Sequence, residues 1–146
     1  MSVNVDRLRI VHYPDPVLRQ RAEAVDASEE TVRRVAVRML ALMKEAEGVG
    51  LAAPQVGLSW RLFVANPSGQ AGDDRVFINP ELSEPTRETE PYEEGCLSLP
   101  FIRGEVTRPR GIVVTATGLE GERFTLRGEG LPARVWQHEQ IGRAHV

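Results

Sequence analysis

The chain has a single cysteine, Cys96, among its 146 residues. An internal disulfide is therefore excluded, and the thiol is left as a small buried hydrophobe, a reactive group or a ligand. Long apolar runs are also missing. The opening MSVNVDRLRI lacks the apolar stretch of a secretory signal, and no window approaches the ~18 residues of a membrane span. These absences set the expectation of a cytoplasmic protein with no membrane partner. Nor is there a basic block: 18 Lys and Arg stand against 21 Asp and Glu, for a net charge of -3. Charges of both signs, interspersed, do not make a nucleic-acid surface, so no direct nucleic-acid specificity is expected. With no repeat, low-complexity tract or linker, and with 41% hydrophobic residues, the chain reads as one domain around one core.

The segment DASEETVRRVAVRMLALMKEAEG carries the clearest periodic signal. Val32, Val35, Met39, Leu42, Met43 and Ala46 recur at three- and four-residue spacing, while Arg33, Arg34, Arg38 and Lys44 fall mostly on other faces. With Asp26 or Ser28 as cap, Glu29 and Glu30 in the first turn and Gly48 as the stop, the spacing predicts a helix over 28–47. Four later runs, RLFVAN, RVFINP, GIVVTAT and RFTLR, read as strands. The last two flank GLEGE, which suits a hairpin connection, and NPSGQAGDD reads as a surface loop. A second helix begins around Pro132, which a first helical turn tolerates; along it Leu131, Val135 and His138 share one face.

Three stretches have residue types that carry chemistry. In GVGLAAPQVG, residues 48–57, glycines and small alanines allow close backbone approach and Gln55 adds an amide donor. The bland alternative is a helix end running into a turn. In EEGCLSLP, residues 93–100, Cys96 beside Gly95 presents a thiol with little steric cover, a nucleophile or a soft ligand for zinc or ferrous iron. The bland alternative is a buried hydrophobe. In VWQHEQIGRAHV, His138 and Glu139 look like the start of a His-Glu-x-x-His metal helix, but position 142 is Gly142. A bare His-Glu pair also arises by chance.

Taken in order, the three stretches resemble the signatures of the peptide deformylase family. Those are Gly-Φ-Gly-Φ-Ala-Ala-x-Gln, with Φ an apolar residue, then Glu-Gly-Cys-Leu-Ser, then Gln-His-Glu-x-Asp-His. The first is complete from Gly48 to Gln55 and the second from Glu94 to Ser98, whereas the third survives only as Gln137, His138 and Glu139. The opening RIVHYPDPVLRQRAEAV and the stretches FINPEL and EVTRPRGIVV are similar to the family as well, so the likeness covers residues 8–139.

The resemblance implies an α+β fold: an N-terminal helix, small antiparallel sheets and a C-terminal metal-bearing helix, here truncated. It implies removal of the formyl group from the N-terminal formylmethionine of nascent chains. By that likeness Cys96 and His138 are metal ligands, Glu139 is general base and then acid, and the Gln55 amide and Leu97 N–H donate to the oxyanion. Ferrous iron is the implied metal, with zinc, nickel or cobalt as substitutes. Val49, Leu131 and Val135 would wall a slot for the methionine side chain, and backbone near Gly50 and Gly95 would pair with the peptide by strand addition. Contact with the ribosome goes with the resemblance, made in the family through a C-terminal extension. Two other readings use the same residues: a zinc hydrolase or peptidase with a His-Glu helix, and an inactive deformylase-like module that grips N-terminal methionine.

The third motif departs from the family at Ile141 and Gly142, so the third ligand is missing. His145 does not replace it, because a helix rises about 10.5 Å over seven residues and both nitrogens must lie about 2.1 Å from one ion. The closing IGRAHV resembles a translation of a common sequencing adapter. Residues 1–139 are therefore expected to be one incomplete deformylase-like domain and 140–146 a non-native tail, with weak metal retention and little activity.

Overall fold

The computed structural model describes residues 3–11, 22–70, 72–96 and 99–142, with the backbone alone described for 92–96, 99–106 and 138–142. Helix α1 runs over Glu30–Glu45, shorter at both ends than its apolar spacing predicts. Neither expected cap is used. Asp26 Oδ1 instead accepts from the Ser28 N–H at 2.9 Å and the Ser28 hydroxyl at 2.6 Å, so the two side chains satisfy each other in a turn ahead of the helix. At the other end the residue with left-handed backbone is Glu47, φ 56°, rather than Gly48. Glu47 N–H reaches Lys44 O at 3.0 Å and Gly48 N–H reaches Met43 O at 3.0 Å, which closes the helix with paired carbonyls.

Strands β1 (Gly50–Ala52), β2 (Leu62–Ala65), β3 (Arg75–Ser83), β6 (Gly111–Thr117) and β7 (Arg123–Glu129) form one antiparallel sheet in that order. β4 (Thr89–Cys96) and β5 (Leu99–Pro109) form a separate antiparallel pair. Helix α2, Leu131–Gly142, follows β7 and continues past Glu139 to Gly142. Among the described residues no helix is long and apolar enough to cross a membrane.

Two-residue alternation divides the apolar side chains of the large sheet between its faces. Leu51, Leu62, Val64 and Ile78 join Val35, Met39 and Met43 of α1. Ala52, Phe63, Ala65, Phe77, Ile112, Val114 and Ala116 join Ala133, Val135 and Trp136 of α2. The α+β architecture is thus a sheet with one helix on each face. Rings reinforce the α2 side: Phe77 stacks on Phe63 with centroids 4.5 Å apart and lies 6.1 Å from Trp136. Gly128 of β7 allows the helix this close, since a Cβ there would stand 2.6 Å from Trp136 Cζ3.

β3 is pinned at a bulge. The pairing shifts between Ile78 and Glu81, where Asn79 has φ 51°. Its amide acts as a surrogate strand: Oδ1 accepts from Val25 N–H at 2.9 Å and Nδ2 donates to Val25 O at 2.7 Å. This ties the segment entering α1 to the sheet.

Candidate active site

The first glycine-rich stretch becomes an edge. β1 pairs with β2 as Gly50↔Ala65, Leu51↔Val64 and Ala52↔Phe63, and Asn66 N–H donates to Val49 O at 2.8 Å. Antiparallel bonding alternates, so the groups of Val49 and Leu51 turn toward β2 while those of Gly50 and Ala52 turn outward. Three residues carry too little pattern for the sequence to show this strand. Beyond it Ala53–Val56 make a 3-10 turn closed by Gly57 at φ 90°.

Gln55 lies in that turn and is 4% exposed. Its Oε1 accepts from Ala52 N–H at 2.9 Å. A main-chain N–H demands the oxygen of the amide, so the bond fixes the orientation and turns Nε2, the donor end, away from Ala52. Val49 remains 42% exposed and Leu131 38% exposed, whereas Val135 is buried in the α2-side core.

The second stretch ends a strand. β4 terminates at Cys96, paired with Leu99 of β5, and the register shifts between Gly95 and Cys96. Leu97 lies outside the described residues, as do the side chains of Cys96, His138 and Glu139. For the others the backbone alone is placed: Gly95 and Cys96 end β4, and His138, Glu139 and Gly142 are on α2. Among the described residues no group of three or more His, Cys, Asp or Glu is arranged to hold a metal ion.

What joins the stretches is α2, which packs against both β1 and β5. Among the described side chains of this helix the polar Arg134 and Gln137 are buried, each 5% exposed. Arg134 Nη2 donates to the Glu90 carbonyl of β4, and Gln137 Nε2 donates to the Pro109 carbonyl of β5 at 2.9 Å. The sequence reading gave neither a role. The available signal was two long polar side chains three residues apart among Ala133, Val135 and Trp136, all buried.

A sequence model of the polypeptide deformylase family matches residues 7–140. The chain belongs to the peptide deformylase family. It is 49% identical over 133 residues to the peptide deformylase of Acidobacterium capsulatum, covering 89% of this chain and 77% of that protein. It is 42% identical over 134 residues to the chloroplastic peptide deformylase 1B of Solanum lycopersicum, covering 90% of this chain and 48% of the relative. The chain therefore spans about half the length of that plant deformylase. The crystal structure of the Thermotoga maritima peptide deformylase superposes with a TM-score of 0.89 at 42% identity, over 95% of this chain and 92% of that one.

Proposed function

We propose that this chain is built to hydrolyse the N-formyl group from the N-terminal formylmethionine of nascent polypeptides, and that it does so poorly as it stands. One observation carries the reading: in a chain of this family, the helix with His138 and Glu139 packs against both the edge strand with Gly50 and the hairpin with Cys96.

The outward N–H and C=O of Gly50 accept an extended peptide main chain, with Gly95 as a second backbone contact. That mode reads little of the sequence downstream. Val49, Leu131 and Val135 are the candidate walls for the methionine side chain. Gln55, whose oxygen is held by Ala52, is the amide donor to the developing oxyanion in this reading, and Leu97 N–H is the second donor. Glu139 takes the proton of the attacking water and returns it to the leaving amine.

Cys96 and His138 would hold the cation, since a thiolate and an imidazole suit a divalent transition metal in kind, ferrous iron first and zinc, nickel or cobalt as substitutes. A bound cation of this class supplies Lewis acidity, which makes water nucleophilic near neutral pH. The donors fall one short, because a catalytic centre takes three and Gly142, four residues after His138 on α2, has no side chain.

Gly142→His tests the proposal directly. Metal content after gel filtration and formate release from a formyl-Met-Ala peptide would be measured for both chains. The parent should retain well under one cation per chain. The variant should gain at least about tenfold in both quantities, since even groups that only support a ligand are worth 10–100-fold in affinity. A parent that holds a full cation and gains nothing from Gly142→His refutes the impairment. A variant that retains metal yet leaves the formyl peptide intact refutes the activity.

A further inference from the structure

We infer that Arg134 and Gln137 are positioning residues, which fix the helix carrying His138 and Glu139 against the hairpin that leads to Cys96. The inference rests on the proposed roles of Cys96 and His138 and assigns the residues that set their relative placement.

Hydrogen bonds among the described residues join the start of α2 to the base of the β4–β5 hairpin. Gly130 N–H, just ahead of the helix, donates to Arg110 O at 3.0 Å. Arg134 holds Glu90 O, and Gln137 holds Pro109 O at 2.9 Å while also donating to Ala133 O at 3.1 Å. In the hairpin Glu90 pairs with Arg108 and Thr89 with Pro109, so the two side chains hold opposite strands at neighbouring rungs. Arg134 and Gln137, three residues apart, share one face of the helix.

Burying a guanidinium and an amide is an expensive way to join a helix to a hairpin, and apolar side chains of the same volume fill such an interface at lower desolvation cost. Directional bonds add what apolar packing does not. They fix the rotation of the helix about its axis and its translation along the strands. His138 is the next residue after Gln137, and Cys96 is six residues from Glu90 on the same strand. A slip at these bonds therefore displaces both donors relative to each other, whereas the rings and aliphatic groups on the other side of α2 tolerate small rotations.

Cobalt(II) provides a reading independent of turnover, because thiolate coordination gives a near-ultraviolet charge-transfer band. The full chain would be titrated with Co²⁺ alongside Arg134→Met, Arg134→Lys, Gln137→Met, Cys96→Ser and His138→Ala, well below the melting midpoint of each. The band should vanish in Cys96→Ser. Arg134→Met and Gln137→Met should bind Co²⁺ about tenfold more weakly or worse, and Arg134→Lys, which keeps a donor, should recover most of that loss. Gln137→Met preserves volume and decides the matter if Arg134→Met does not fold. Parent-like Co²⁺ binding by folded Gln137→Met overturns this inference alone. Parent-like binding by both Cys96→Ser and His138→Ala overturns the donor assignment, and the inference with it.

Discussion

Asp74 stands where the end of α1 meets the loop before β3. Its Oδ2 lies 2.8 Å from Lys44 Nζ, and its Oδ1 accepts from Asn66 Nδ2 at 2.8 Å. Burial is the largest single influence and raises its pKa, but the hydrogen bonds from Lys44 and Asn66 and the lysine charge together outweigh it and hold the carboxyl below its ordinary value. A depressed folded-state pKa means the unfolded chain binds the proton more readily. The stabilisation is thus complete above the ordinary carboxylate range and disappears as pH falls through the folded value. Lys44 is 61% exposed, so the pair is screened. We expect Asp74→Asn to cost about 0.5–1 kcal/mol at neutral pH, with the difference closing in acid. Urea unfolding at both ends of that range checks it; a gap that widens in acid would show the sign is wrong.

At the scale of elements, the close contact between α2 and β7 depends on Gly128. A methyl there meets Trp136 at 2.6 Å and 2.7 Å, so Gly128→Ala should cost about 1–3 kcal/mol through displacement of the helix. The cost should shrink in a Trp136→Phe background, where the benzo ring is gone; equal costs in both backgrounds would place the strain elsewhere. The elements with strong periodicity were legible in the sequence. α1, β2, β3, β6 and β7 fall where the apolar runs predict, and the Gly118–Gly121 turn joins β6 to β7 as the glycines suggest. β1, β4 and β5 were not legible. β1 is too short for a pattern, and TEPYEEGC with LPFIRGEVTRP carries charges and prolines that mask alternation, because the hairpin pairs with itself instead of entering the large sheet. The candidate site followed the same rule. Motif residues, Gln137 among them, were visible in the chain, whereas the bonds that Arg134 and Gln137 make appear only once β4 and β5 lie beside α2.

For the molecule as a whole, β2 belongs to both cores, with Leu62 and Val64 on the α1 side and Phe63 and Ala65 on the α2 side. The chain's 2 tryptophans fall one to each side, Trp60 with α1 and Trp136 with α2. Because the two cores share one set of strands, both should melt together. Single-tryptophan variants Trp60→Phe and Trp136→Phe should give coincident fluorescence midpoints in urea, and Phe63→Ala should lower the unfolding free energy read by either tryptophan by the same amount, about 3–5 kcal/mol. Separate midpoints would mean two independent units. The brevity of β1 has one more effect, on how copies of this molecule meet. An open sheet border invites lateral growth by a neighbouring chain. Here the border is 3 residues long, and its Ala52 N–H is already taken by Gln55. At this border, one of the sheet's two, a passing strand finds purchase at little more than Gly50, too little for lateral growth there.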